Sequence, residues 1–122
     1  MRILIIEDNP ALQATLQELL ELNGHDVLSA SNGREGLTHA LSAVPDLIIC
    51  DLGLPGMDGL DVLAALKTAP RTHGIPVCIL TAQMDPEISK RAQYLGAITF
   101  ITKPYNEADI LAAIAGVKAT TP

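Results

Sequence analysis

The sequence is poor in aromatic side chains. It has no tryptophan, one phenylalanine and two tyrosines in 122 residues. Any core must therefore be aliphatic, built from Leu, Ile, Val and Ala. Apolar residues make up 48% of the chain, enough for a packed domain and too many for a disordered one. Cysteine is scarce as well. Cys50 and Cys78 each lie in an apolar, β-branched run, where a buried small thiol is the common state. A single pair in a chain without a leader makes no disulfide framework. Two thiols without a histidine at ligand spacing also fall short of a zinc site.

Positive charge is the third shortage. Eight basic residues face 14 acidic ones, a net charge of −6. The domain itself is therefore not expected to grip nucleic acid or an anionic membrane, since either needs a basic surface; an attached DNA-binding domain is not excluded. No apolar run approaches the length of a membrane span. The start, Met1 to Asp8, meets acid after four apolar residues and does not read as a signal peptide. A cytoplasmic location is the expectation. The length suits one domain, with no repeat, low-complexity stretch or interdomain linker.

What is present is alternation. Short β-branched runs at Ile3–Ile6, Asp26–Ala30, Asp46–Asp51, Ile75–Leu80 and Ile98–Thr102 read as strands. Between them lie amphipathic stretches with helical spacing. The first starts at Asn9-Pro10 and carries Leu12, Leu16, Leu19 and Leu20 as far as Gly24. The others run from Asn32 to about Val44, through Leu60, Leu63 and Leu66, from Pro86 to Leu95, and through Ile110, Leu111, Ile114 and Val117. Residues 1–118 form the predicted domain and 119–122 a loose, flexible tail; Pro70–Pro76 reads as a long loop. Five βα units in a row imply a parallel sheet covered by helices on both faces.

In such a fold ligands bind outside the carboxyl ends of the strands. Glu7 and Asp8 follow the first strand, Asp51 ends the third, Thr81 and Ala82 end the fourth, and Lys103-Pro104 follows the fifth. Three carboxylates, a hydroxyl and an ammonium should thus face one small space. Carboxylates crowded together raise one another's pKa values. A hard divalent cation relieves this, and a small set of oxygen donors suits Mg²⁺, which keeps several waters. Three carboxylates, one lysine and one Mg²⁺ sum to zero charge. A carboxylate can attack phosphorus to form an aspartyl phosphate, a reaction that needs chiefly positioning and charge neutralisation. Thr81 could donate to a phosphoryl oxygen, and small Ala82 leaves room for it.

These pieces, with the segment Asp51-Leu52-Gly53-Leu54-Pro55-Gly56-Met57-Asp58-Gly59, resemble the receiver domains of two-component response regulators along nearly the whole chain. The resemblance implies a flavodoxin-like (βα)5 fold, doubly wound, with strand order 2-1-3-4-5. It implies Asp51 as the phosphoacceptor and Mg²⁺ held by Asp8, Asp51 and the backbone carbonyl of Gly53, with Glu7 acting through metal-bound water. Lys103 would bind the phosphoryl oxygens beside Thr81 and Ala82, ahead of a cis bond to Pro104. Thr81 and Phe100 would form a switch pair that remodels the face of helix four, strand five and helix five. The implied partners are a sensor histidine kinase or histidine phosphotransfer protein and a downstream output domain or protein, with a phosphorylation-dependent homodimer left open. Such a domain assists its own phosphorylation and dephosphorylation but is no metabolic enzyme.

Some positions depart from common family patterns. Phe100 stands where Tyr is frequent and has no hydroxyl to bond. Gly53, two past Asp51, offers no side chain to shield a phosphoryl group, so water should reach it, with Gln83 nearby to orient the attack. Ile98, Thr99 and Ala113 break the charged set of regulators that dimerise to drive winged-helix domains. A single-domain regulator and a receiver from a multidomain protein both remain open.

Plainer readings stand beside these. Asp8 and Asp51 could merely cap helices, Thr81 could cap a turn, Phe100 could be core, and Lys103 alone would be a solvated cation. Tyr94 and Tyr105 read as packing or surface residues, and His25, His39 and His73 as surface. Three other function classes fit less well. A receiver-like interaction module that is never phosphorylated would normally lack part of the acidic set or the lysine. A phosphatase working through an aspartyl phosphate needs a carboxylate at position 53. A flavodoxin-type carrier needs a hydroxyl-rich phosphate loop where Glu7-Asp8-Asn9-Pro10 stands.

Overall fold

The computed structural model describes residues 1–82 and 85–120. Strands and helices alternate: β1 (Arg2–Ile6), α1 (Pro10–Leu22), β2 (Asp26–Ala30), α2 (Gly33–Ala43), β3 (Leu47–Asp51), α3 (Gly59–Thr68), β4 (Val77–Thr81), α4 (Pro86–Tyr94), β5 (Thr99–Thr102) and α5 (Glu107–Thr120). The strands form one parallel sheet in the order β2-β1-β3-β4-β5, as expected.

Alternate residues of each strand face opposite sides of the sheet. Leu4, Ile6, Ile48, Cys50, Val77 and Ile79 meet Val62, Leu63 and Leu66 of α3, Ala40 of α2 and Ala92 of α4 on one side. On the other, Ile3, Ile5, Leu47, Ile49, Cys78 and Leu80 meet Leu16 and Leu20 of α1 and Ile110, Ile114 and Val117 of α5. Every residue of β3 and β4 is buried, which is why both read as continuous apolar runs. Cys50 and Cys78 lie on opposite sides of the sheet and are both free and buried. Burial pushes the Cys78 thiol up to about 12 and raises that of Cys50 too.

The helix starts decide one of the plainer readings. Asn9 accepts from the N–H groups of Ala11 and Leu12, Asn32 from Glu35, Asp58 from Asp61 and Asp85 from Glu87. Asn106 and Asp109 exchange side-chain bonds to each other's backbone N–H at the start of α5. These residues supply the caps that helix N-termini need. Asp8 caps no helix, nor does Asp51.

Two expectations are corrected, and the loop expected at Pro70–Pro76 is present. His25 is buried, 8% exposed, with Nδ1 3.1 Å from the amino group of Met1. It sits between Gly24 and β2, where the chain turns under the sheet, so it is not a surface residue. The loop at Pro70–Pro76 is anchored: Thr72 is fully buried and donates to the Leu66 carbonyl at 2.6 Å. Lys67 Nζ donates to the carbonyls of His73 and Ile75. Finally, α5 continues through Ala119 and Thr120, the first two residues of the expected tail; the last two tail positions lie outside the described residues.

Candidate functional site at the carboxyl rim of the sheet

The sheet delivers its reactive residues to one rim. Glu7 leaves β1, and its side chain is fully buried. Asp51 is the last residue of β3 and Thr81 the last of β4, at 6% and 5% exposure. The Lys103 N–H donates to the Thr81 carbonyl at 2.7 Å, and the Lys103–Pro104 bond is cis, as the resemblance implied.

Lys103 bridges the acids. Its ammonium stands 2.5 Å from Asp51 Oδ2 and 3.0 Å from Glu7 Oε1. The other Asp51 oxygen, Oδ1, accepts from the Gly53 N–H at 2.9 Å. Glu7 Oε2 accepts a long bond of 3.4 Å from the Asn9 N–H. Asp8 is exposed, yet Glu7, Asp8 and Asp51 each place an oxygen within 4.8 Å of the others. Among the described residues this is the one cluster of three such groups.

The electrostatics are those of a crowded, incompletely neutralised set. Burial and the neighbouring Asp51 push the Glu7 carboxyl up to about 7, and Lys103 offsets only part of this. Burial also works against ionised Asp51, but hydrogen bonds with Glu7, Lys103 and the Gly53 N–H outweigh it and hold that carboxyl below its usual range. Lys103 loses solvation yet is held above its ordinary value by Asp51 and Glu7. Two acids and one lysine leave an excess negative charge, and exposed Asp8 adds another. This all-oxygen donor set fits a hard divalent cation.

Thr81 and Ala82 border, with Asp51 and Gly53, an open hollow. Phe100 is half-buried on β5, paired in register with Ile79. Its ring borders a seam too narrow to hold a water molecule, which also touches Thr81 and Ile88. Gln83 lies outside the described residues. His39 lies near Glu35 on α2, and His73 is exposed; neither approaches the site.

One residue was missed. Tyr105 packs with the apolar cluster under α1 and α5, but its hydroxyl is buried without a hydrogen-bond partner among the described residues. Burial and the charges of Glu7 and Asp51 push that phenol upward. The only signal in the sequence is its place two residues after Lys103, which says nothing about burial.

Comparison with known proteins agrees with this geometry. A family model described as the response regulator receiver domain matches residues 3–115. Protein PilH of Pseudomonas aeruginosa is 37% identical over 119 residues, covering 97% of this chain and 98% of that protein. The transcriptional regulator RpaA of Synechocystis is 39% identical over 113 residues, 93% of this chain but 47% of RpaA. The crystal structure of chemotaxis protein CheY4 of Vibrio cholerae superposes with a TM-score of 0.91 at 28% identity, covering 95% of this chain and 97% of that one. The chain belongs to the response regulator receiver family and is a receiver domain of two-component signal transduction.

Proposed function

We propose that Asp51 is the phosphoacceptor, that it takes its phosphoryl group from the histidine of a sensor kinase or phosphotransfer protein, and that Mg²⁺ assists. The observation that carries this is the bridge of Lys103 across Asp51 and Glu7, within an acidic cluster that caps no helix. Mg²⁺ would be held by Asp8, Asp51 and the Gly53 carbonyl, with Glu7 behind; when bound it supplies positive charge for the acids and the phosphoryl oxygens. The protein's own part is positioning. Gly53 N–H fixes the Asp51 carboxylate, Lys103 exchanges its carboxylate partner for a phosphoryl oxygen, and Thr81 turns its hydroxyl toward the same group. Ala82 keeps the approach open, and Gly53 and Gln83 set how readily water removes the phosphoryl group.

The output follows from the seam beside Phe100. As Thr81 moves toward the phosphoryl group, the ring gains space to turn inward. The α4–β5–α5 face then shifts between two states. That face is the surface for an output domain, a target protein or a second copy of the chain. Residues 1–118 act as the signalling unit, in the cytoplasm, and the domain hydrolyses its own phosphoryl group rather than a metabolite. Among the described residues no helix is long and apolar enough to cross a membrane.

Intact-protein mass after incubation with a small phosphodonor tests the reading. One phosphoryl adduct is expected in Mg²⁺, with none after chelation and none in Asp51→Asn. A folded chain that takes no adduct under any condition would instead be an interaction module working without phosphorylation.

A further inference from the structure

Asp8 is the member of the acidic cluster that its own side chain does not hold in place. Glu7 and Asp51 are buried and bonded to Lys103. Asp8 is exposed, and among the described residues its carboxylate makes no hydrogen bond. Its place beside the other two acids is therefore set by the backbone that carries it, between the end of β1 and the start of α1.

One residue fastens that backbone. The Gln13 side-chain amide donates to the Glu7 carbonyl and to the Ala30 carbonyl, both at 3.0 Å. Its backbone N–H donates to the Asn9 carbonyl at 2.9 Å. Gln13 thus holds the carbonyls of both residues that flank Asp8. Carbonyls only accept, so the nitrogen of the side-chain amide must be the end that faces the strand ends. The Ala30 carbonyl also accepts from the Glu7 N–H at 3.0 Å. The Glu7 backbone is therefore bonded to β2 through its N–H and to α1 through its carbonyl. The bond to Asn9 would form with any residue but proline at position 13; the side-chain pair would not.

Gln17, one turn further along α1, provides a contrast. It accepts from the Ser29 hydroxyl at 2.8 Å and so also ties α1 to β2. Among the described residues it has no hydrogen bond to the acidic segment.

We propose that Gln13 is a positioning residue for Mg²⁺: its amide locks the Glu7–Asn9 segment in the form that presents the Asp8 carboxylate beside Asp51, and so sets the affinity for the ion before any phosphoryl group arrives. This rests on Asp8 and Asp51 being the Mg²⁺ ligands. Without the amide the segment must be ordered at the moment of binding, and that cost is taken from the affinity. Groups behind metal ligands commonly act in this way.

The test is titration calorimetry of Mg²⁺ into the unphosphorylated chain, with denaturant unfolding in chelator alongside. It compares the unaltered chain with Gln13→Met, Gln13→Asn and Gln17→Met. Met keeps the length and removes the donors; Asn keeps the amide and shortens its reach, a milder change should loss of both bonds unfold the chain. Gln13→Met should weaken Mg²⁺ binding about tenfold, and Gln13→Asn should weaken it too. Gln17→Met should lower the unfolding midpoint and leave Mg²⁺ affinity unchanged. Unaltered affinity in the Gln13 variants, or an equal loss in Gln17→Met, overturns the inference alone and leaves Gln13 as part of how α1 docks. An unaltered chain that binds no Mg²⁺ overturns the assignment of the metal ligands and this inference with it.

Discussion

The two rims of the sheet treat polar groups in opposite ways. At the amino rim polar groups are partnered, the buried Thr72 and His25 among them. Thr72 donates to Leu66, Lys67 to two loop carbonyls, and the Met1 amino group meets His25. The Arg2 N–H donates to Asp46 at 2.8 Å. At the carboxyl rim the groups are set against one another. Glu7 and Asp51 share one lysine, Glu7 is forced toward the neutral form, and the Tyr105 hydroxyl finds no partner among the described residues. The first rim spends its polar groups on holding the chain; the second holds in reserve interactions that a cation and a phosphoryl group would complete. Conflict among buried groups is costly, and proteins tolerate it where function requires it. Substitutions should therefore have opposite signs at the two rims.

Glu7→Gln should give the largest effect. The folded-state pKa of Glu7 is about 7 against an ordinary value of 4.5. Below the ordinary value the carboxyl is neutral in both the folded and unfolded chain, and its contribution is complete. As pH rises through the folded value, the buried group must ionise at a cost the unfolded chain does not share, and stability is lost. Asp51 acts in the other direction, but below its own ordinary range, so it leaves the window from about 5 to 8 to Glu7. In chelator, Glu7→Gln should thus gain about 2–3 kcal/mol on the unaltered chain between pH 5 and pH 8 by denaturant unfolding. Lys103 keeps Asp51 as a partner throughout. Adding Mg²⁺ at pH 8 should narrow the gap, because the ion stabilises the charged form. A gap independent of pH would break the comparison at its centre.

Thr72→Val tests the other rim. The shape is nearly kept, but the Leu66 carbonyl loses its buried hydroxyl donor. A loss of about 1–2 kcal/mol is expected, with no dependence on pH or Mg²⁺. A neutral result would show that the amino rim is not held by such bonds.

The two rims also differed in how far they could be read from the sequence. At the carboxyl rim the contacts join one side chain to another, so the residue types themselves carry the information. Glu7, Asp8, Asp51, Thr81 and Lys103 each stand after an apolar run, and runs that are buried on both faces are easy to find. At the amino rim the partners are mostly backbone carbonyls. Every residue offers one, so nothing in the letters marks Thr72 or Lys67 as anchors, and a held segment looks like an ordinary loop. His25 looked exposed because it follows Gly24 at a turn; only the packing of β2 beside β1 shows that it is covered. Strand limits moved by one or two residues for a similar reason. Pairing with a neighbour, such as that of Thr81 with Thr102, decides where a strand ends, and hydrophobicity does not record it.

Tyr105→Phe is the smallest expected effect and the sharpest test of sign. Removing a buried hydroxyl that has a partner costs stability, whereas removing one that has none relieves a desolvation penalty. The ring packs against the cluster beneath α1 and α5 and would be unchanged. The variant should therefore be more stable by about 1 kcal/mol in chelator, seen as a raised unfolding midpoint with the same denaturant slope. If Tyr105→Phe instead lowers stability, the hydroxyl has a partner after all, a bridging water being the simplest. The carboxyl rim would then be better satisfied than its protein groups alone indicate, and the contrast between the rims would rest on Glu7 alone.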